Sequence, residues 1–336
     1  MNGREIYGYF QQKAMQNHAL FQVEIDVTSK CNANCPFCFQ GTHENKYYDM
    51  SLEKIVNLLD DLRSMGTFYI GFSGGEPFAR ADFLEILNEA KKRKFRISVI
   101  SNGMLLSKSD IDRLAELQID RVTISFHGIS QDTYLKNFGI NNPSCFSRAI
   151  ENIDYMLQKG ISLGIAITVT KYNIGELEEI TNFFLQKGLK RSDINYNMLL
   201  SGKRKINELM PTQEQITENV NYLSQKIGKE EKHALCNAGI ISCSIDSRGY
   251  VYPCTFFNNY VGNIFEQSIK DIWENSHFLK ILRSLKDSMF EKCADCALKG
   301  KCNMCLATNL NDTGDIFIPS EMFCQSRKAR IGDTIC

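Results

Sequence analysis

Between about residues 20 and 200 the chain alternates strand-like and helix-like stretches, and that alternation restricts the fold more than any other feature. Residues 21–27, FQVEIDV, alternate apolar with polar as a half-buried strand does. Leu52, Ile55, Leu58, Leu59 and Leu62 then recur at helical spacing. The same exchange repeats. Strands are expected at 68–72, 95–100, 121–126, 161–169 and 194–199. The helices between them are marked by Phe83, Ile86 and Leu87; by Ile111, Leu114 and Leu117; by Ile150, Ile153 and Met156; and by 177–184. Six βα units imply a parallel sheet with helices packed outside. Six rather than eight suggests a partial (β/α)6 TIM barrel, with chemistry at the C-terminal strand ends. A doubly wound sheet is compatible with the same alternation.

After about residue 235 the character changes. Gly, Asn, Asp and Cys become frequent and long helical periodicity fades. A loop-rich segment of this kind struggles to bury a core alone, so bound metal is expected to help hold it together. The chain therefore divides into an N-terminal extension (1–20), the barrel (21–210), a linking helix (211–234) and a cysteine-rich C-terminal domain (235–336). Pro211 and Thr212-x-x-Gln215 give the linking helix a capped start, running to about Gln225.

Lys+Arg and Asp+Glu both number 39. That balance argues against a nucleic-acid or membrane-surface binder. The densest basic run, Lys91 to Lys94, closes a helix pattern, where positive charge suits the helix dipole. No apolar stretch is long enough for a membrane span, and nothing reads as a signal peptide, so a cytoplasmic protein is expected. In a reducing cytosol, 13 cysteines point to metal rather than to disulfides. Three lie within eight residues and eight lie between Cys236 and Cys324, while Cys145 and Cys336 stand apart.

The first group is Cys31-x3-Cys35-x2-Cys38, directly after the first strand. Three thiolates can hold three irons of a [4Fe–4S] cluster, leaving the fourth iron open to a small molecule. Zinc is the alternative, but the odd count and the x3 spacing suit it poorly. After the second strand comes Ser73-Gly74-Gly75-Glu76-Pro77. Glycines there let backbone approach a ligand closely, and Glu76 adds an acceptor. Ser101-Asn102-Gly103 ends the third strand and Ser125 the fourth; His127 follows and is given no role.

The C-x3-C-x-aromatic-C pattern, with Phe37 as the aromatic, resembles the signature of the radical SAM superfamily, and GGEP resembles a second motif of that family. The resemblance implies that the open iron chelates S-adenosylmethionine and that one electron from the cluster yields a 5′-deoxyadenosyl radical. It also implies that Gly74, Gly75 and Glu76 meet the methionyl ammonium, and that Ser101, Asn102 and Ser125 touch ribose or carboxylate. The tail reads Cys236-x6-Cys243-x10-Cys254, then Cys293-x2-Cys296-x5-Cys302-x2-Cys305, then Cys324, with Gly249-x4-Cys254 inside it. This resembles the SPASM extension of those enzymes, which carries two auxiliary [4Fe–4S] clusters. By its interleaved connectivity Cys236, Cys243, Cys254 and Cys305 would hold one, and Cys293, Cys296, Cys302 and Cys324 the other. Two departures stand out: Cys302 and Cys305 have two residues between them where three are common, and Cys243 is not general in the family. Two structural zinc sites are the alternative for the tail.

The expected cofactors are therefore three [4Fe–4S] clusters, one binding S-adenosylmethionine and two auxiliary, with a flavodoxin- or ferredoxin-type electron donor. The expected substrate is a peptide or protein that the enzyme crosslinks or oxidises. A leader peptide, if used, would need a separate recognition protein or the barrel rim, because the N-terminal stretch is short. A sulfatase-maturase-like formylglycine reaction fits less well, since Thr255 stands where those enzymes carry an Asp base. A small-molecule or tetrapyrrole-modifying enzyme and an iron–sulfur electron-transfer protein are the other readings. No catalytic acid or base is assigned.

Overall fold

The structure is a computed structural model, and it describes residues 3–40, 49–200, 206–223, 236–299 and 302–331. Helix α1 (Gly3–Asn17) precedes β1 (Gln22–Asp26). Then follow α2 (Leu52–Ser64), β2 (Tyr69–Ser73), α3 (Phe83–Lys92), β3 (Arg96–Ser101), α4 (Lys108–Glu116) and β4 (Arg121–Ser125). Two helices, α5 (Gln131–Phe138) and α6 (Ser144–Gln158), lead to β5 (Leu163–Val169), α7 (Leu177–Gln186) and β6 (Ile194–Met198). All six expected strands form, each within two residues of its expected limits. They pair in parallel and in sequence order, β1 with β2 through to β5 with β6.

Helix faces follow the spacing of apolar residues. On α2, Ile55, Leu58, Leu59 and Leu62 are buried, and Ser51 caps the helix by accepting from the Lys54 N–H. A capping box of Ser107 and Asp110 starts α4. These faces meet the outward side chains of the strands, among them Val23, Ile25, Ile70, Phe72, Ile97 and Val99, all fully buried. The alternate residues face the concave side, and many of them remain partly open, including Gln22, Glu24, Thr123, Ser125, Thr168 and Asn197. The strands thus carry an apolar outer face and a polar lumen, as their period of two requires. The basic run at the end of α3 is tied into surface ion pairs, with Lys92 on Glu89 at 2.6 Å and Arg93 on Asp60 at 2.7 Å.

Three features depart from expectation. Residues 3–17 of the extension form a helix, whose Tyr7 packs on Phe21 and Phe68 near the N-terminal ends of β1 and β2, at centroid distances of 5.5 and 6.0 Å. The cysteine-rich segment continues the barrel's sheet. Its first strand, β7 (Ser242–Ile245), adds in parallel to β1, and β8 (Tyr250–Tyr252) and β9 (Gly262–Asn263) continue antiparallel. One nine-stranded sheet results, in the order β6-β5-β4-β3-β2-β1-β7-β8-β9, with β6 and β9 as its edges. The segment also holds more helix than its composition suggests.

Between barrel and tail, α8 (Gln213–Glu218) starts on the expected Thr212–Gln215 capping box and passes to α9 (Val220–Leu223). The expected continuation to Gln225 lies outside the described residues, as does Cys336. The tail helices are α10 (Ile269–Asn275), α11 (His277–Ser284), α12 (Leu306–Thr313) and α13 (Glu321–Ile331). No helix among the described residues is long and apolar enough to cross a membrane.

Candidate functional site

The loop after β1 carries Cys31, Cys35 and Cys38, all half-buried. The Cys31 thiol accepts from the Ala33 N–H at 3.4 Å, and the Cys38 N–H donates to the Cys35 carbonyl at 3.1 Å. Cys31 lies within electrostatic reach of Cys38 and Glu76, and burial pushes its thiol up to about 12. A thiol held that high becomes a thiolate only when a cation offsets the cost, as a metal does.

Two glycines fix this loop in place. A Cβ on Gly75 would stand 2.2 Å from the Lys30 carbonyl oxygen, and one on Gly74 would stand 2.4 Å from that of Thr28. Gly74 also sits at φ +138°, which side chains rarely tolerate. The space so freed holds a tight backbone pairing: the Gly75 N–H donates to Thr28 O at 2.8 Å and the Glu76 N–H to Lys30 O at 2.7 Å. The glycines therefore bring the β2 loop against the cysteine loop itself. On the other side, the Asn34 N–H donates to Phe138 O at the end of α5, at 2.9 Å.

Glu76 is buried and ties neighbouring loops together. Its Oε1 accepts from Ser101 Oγ at 2.8 Å and from the Phe78 N–H at 3.2 Å; its Oε2 accepts from the Asn102 N–H at 2.7 Å. Burial raises its carboxyl to about 7, against the pull of those hydrogen bonds. Asn102 is engaged as well, donating to Asn32 Oδ1 at 2.7 Å and accepting from the Met104 N–H at 2.9 Å. The GGEP and Ser101-Asn102 residues are thus brought together with the cysteine loop, largely by bonding one another. Ser125 stands at the end of β4, half-buried on the lumen side.

His127 carries more structure than its sequence position suggests. Phe37 meets its ring edge-on at 5.1 Å, and Phe138 lies 4.7 Å away on another side. Its Nδ1 accepts from the Thr168 N–H at 3.1 Å, which places the ring proton on Nε2. Burial depresses its pKa to about 3, so it is neutral. Only its place beyond a strand end hinted at this in the sequence.

The tail cysteines fall into two groups. Cys293, Cys296, Cys302 and Cys324 line one cavity of about 440 Å³, together with Phe290 and Met304. Each member lies within electrostatic reach of others in the set. Cys236, Cys254 and Cys305 form the second group, and burial pushes Cys254 to about 12. Cys302 and Cys305, close in sequence, thus belong to different groups. Among the described residues no three such side chains converge tightly enough for a single ion. The donor sets are all thiolate, which suits iron–sulfur clusters.

Cys243, expected as the fourth ligand beside Cys236, Cys254 and Cys305, sits within β7 in register with Val23. Its side chain is 3% exposed in the main core, and the charged group acting on it is Arg283. The physical reason is strand alternation. Cys243 and Ile245 alternate onto one buried face of β7, and Cys236, Cys254 and Cys305 pack partly buried against the same core.

Comparison with known proteins agrees with this arrangement. Residues 25–184 match the radical SAM superfamily, and residues 236–297 match SPASM, an iron–sulfur cluster-binding domain. The chain is 25% identical over 342 residues to an AdoMet-dependent heme synthase of Methanosarcina barkeri, covering 91% of this chain and 96% of that protein. It is 24% identical over 304 residues to the mycofactocin maturase MftC of Mycolicibacterium smegmatis, covering 82% and 76%. Streptococcus suis SuiB bound to its precursor peptide SuiA has the same fold, with a TM-score of 0.74 at 18% identity over 96% of this chain and 81% of that one. The cysteine loop pinned by GGEP on a parallel sheet, the cysteine-rich tail and both domain matches lead to one assignment: the chain is an enzyme that carries a radical SAM domain over residues 25–184 and a C-terminal SPASM iron–sulfur cluster-binding domain.

Proposed function

We propose that the chain modifies a peptide by radical chemistry, and that it does so with three clusters. Cys31, Cys35 and Cys38 would hold the cluster that binds S-adenosylmethionine. Cys236, Cys254 and Cys305 would hold one auxiliary cluster, and Cys293, Cys296, Cys302 and Cys324 the other. When bound, the first cluster and S-adenosylmethionine supply a radical able to take hydrogen from an unactivated carbon. The residues of the chain do the rest. Gly74 and Gly75 set the height of the cysteine loop, while Glu76, Ser101 and Asn102 lock the loops around it. Phe37 and neutral His127 wall the site on the β4 side. Ser125 keeps a hydroxyl directed at the lumen.

The lumen itself carries the peptide reading. It is lined by polar groups, acidic Glu24 and Asp26 among them, with the basic Arg96 and Arg121 paired to Asp120 and Asp193, and lies within a sheet whose edge strands among the described residues are β6 and β9. An extended chain can enter such an open trough and be held by hydrogen bonds. The relative named as a mycofactocin maturase supports this reading. The relative named as a heme synthase favours a second one, a tetrapyrrole substrate. A tetrapyrrole bearing carboxylates would meet Glu24 and Asp26 on the lumen face of β1, which repel rather than bind it.

The deciding experiment supplies the iron-loaded, reduced enzyme with S-adenosylmethionine and short peptides encoded beside its gene. Mass spectrometry should show loss of hydrogens from one peptide. Turnover of a tetrapyrrole with every peptide unchanged would overturn the proposal. The electron donor would be a flavodoxin or ferredoxin, and leader recognition would fall to a separate protein or to the barrel rim.

A further inference from the structure

The lumen contains an unpaired carboxyl that the site described above does not use. Glu24 lies in the middle of β1, in register with Gly71 of β2 and Ser244 of β7. Gly71 is in turn in register with Ser98 of β3. Parallel register puts all four on the same face, across four adjacent strands.

Gly71 leaves a notch in this row. A Cβ built there would lie 3.4 Å from Ser98 Oγ and 3.8 Å from Glu24 Cγ, so both neighbours lean over the same gap. Tyr69, one step below on β2, hydrogen-bonds Ser98 and closes the floor. On the far side of Glu24, Ser244 is 4% exposed, and its Oγ has no hydrogen-bond partner among the described residues.

Glu24 makes no hydrogen bond or ion pair among the described residues. The cations nearest in the row are spent elsewhere. Arg96 is paired with Asp120 at 2.6 Å, and Arg121 reaches over Gly164 to Asp193 at 3.3 Å. Half-buried in the lumen and without a counter-ion, the Glu24 carboxyl is raised by desolvation to about 7. Beside it the buried, unpartnered Ser244 Oγ is a polar group of the kind a ligand completes.

We infer that the notch over Gly71 is a substrate subsite for a primary ammonium group, with Glu24 as its counter-ion and the Ser98 and Ser244 hydroxyls as additional acceptors. An ammonium has three donors and a full positive charge, which matches a carboxylate flanked by two hydroxyls. A carboxylate or a bare apolar group finds no complement there. The inference deepens the peptide proposal and rests on it in one respect, that the ammonium would belong to a lysine-type side chain.

The test uses the iron-loaded enzyme with S-adenosylmethionine present and n-butylamine as the probe. Saturation-transfer NMR should show binding of n-butylamine but not of butyrate or n-butanol. Glu24→Gln, with unchanged iron content and far-UV circular dichroism, should lose at least tenfold in affinity. Gly71→Ala fills the notch without touching the charge and should weaken binding too; it also serves if Glu24→Gln fails to load iron. Equal binding to wild type and both variants, or no preference for the amine, would overturn the inference. The probe arm needs no peptide, so an enzyme that binds n-butylamine yet leaves every peptide unchanged would refute the peptide reading and keep the subsite.

Discussion

Replacing Gly75 with alanine should disable the cysteine loop while leaving the barrel folded. The added Cβ would meet Lys30 O at 2.2 Å, Lys30 C at 2.6 Å and Ser29 O at 2.8 Å, all of them backbone atoms that cannot rotate away. Ordinary contact begins near 3.4 Å, so the two loops must part by about 1.2 Å. That movement lengthens the 2.8 Å Gly75–Thr28 and 2.7 Å Glu76–Lys30 bonds beyond hydrogen-bonding range. Overpacking costs roughly 1–3 kcal/mol, and two lost backbone bonds add about 1 kcal/mol each. The expected destabilisation is therefore about 3–5 kcal/mol, and a 1 Å misplacement of reacting groups costs on the order of 10²-fold in rate. Urea unfolding measures the first, and S-adenosylmethionine cleavage under excess reductant the second. Gly175→Ala is the control, because nothing lies within 4 Å of its added Cβ and its φ is not positive. If Gly75→Ala cleaves S-adenosylmethionine at the wild-type rate with unchanged stability, the backbone pairing does not hold the cysteine loop.

Other expectations follow from the same structure. Cys243→Ala should leave iron content and cluster spectra unchanged, whereas Cys254→Ala should lose about four irons of about twelve; iron loss in Cys243→Ala would restore it as a ligand. His127 should make the fold acid-sensitive. The unfolded chain takes up its proton near 6.5 and the folded one only near about 3, so protonation favours unfolding as the pH drops below 6.5. At ~pH 5 the loss is about 2 kcal/mol, and His127→Gln should flatten that slope in urea titrations; an unchanged slope would refute the assignment. Removing iron with a chelator should raise hydrogen exchange in residues 290–331 before it does so in β1–β6. Uniform exchange would show that the tail does not depend on its metal.

The barrel was legible because its strands and helices obey the two simple periods. Ile55, Leu58, Leu59 and Leu62 mark α2 as plainly in the sequence as in the packed structure. The cysteine loop was legible as well, since its spacing is local. What stayed hidden depends on long-range register. Nothing in 242–245 announces that it pairs with β1, so the burial of Cys243 within that sheet was not readable from cysteine spacing. The close approach of the Gly74 and Gly75 Cβ positions to the Thr28 and Lys30 carbonyls could not be read from the motif either. Helix α1 lacks a strong apolar stripe and is docked chiefly through Tyr7 on Phe21 and Phe68. The Glu24 notch appears only once Gly71, Ser98 and Ser244 are set side by side.

On the proposed function, Cys31, Cys35 and Cys38 hold the cluster that cleaves S-adenosylmethionine. The direct measurement is 5′-deoxyadenosine formed by the anaerobic, reduced enzyme, compared with a variant in which those three cysteines are alanine. The wild type should form product and the variant none, while the variant should still keep about eight of about twelve irons in its tail. Undiminished 5′-deoxyadenosine from the variant would contradict it.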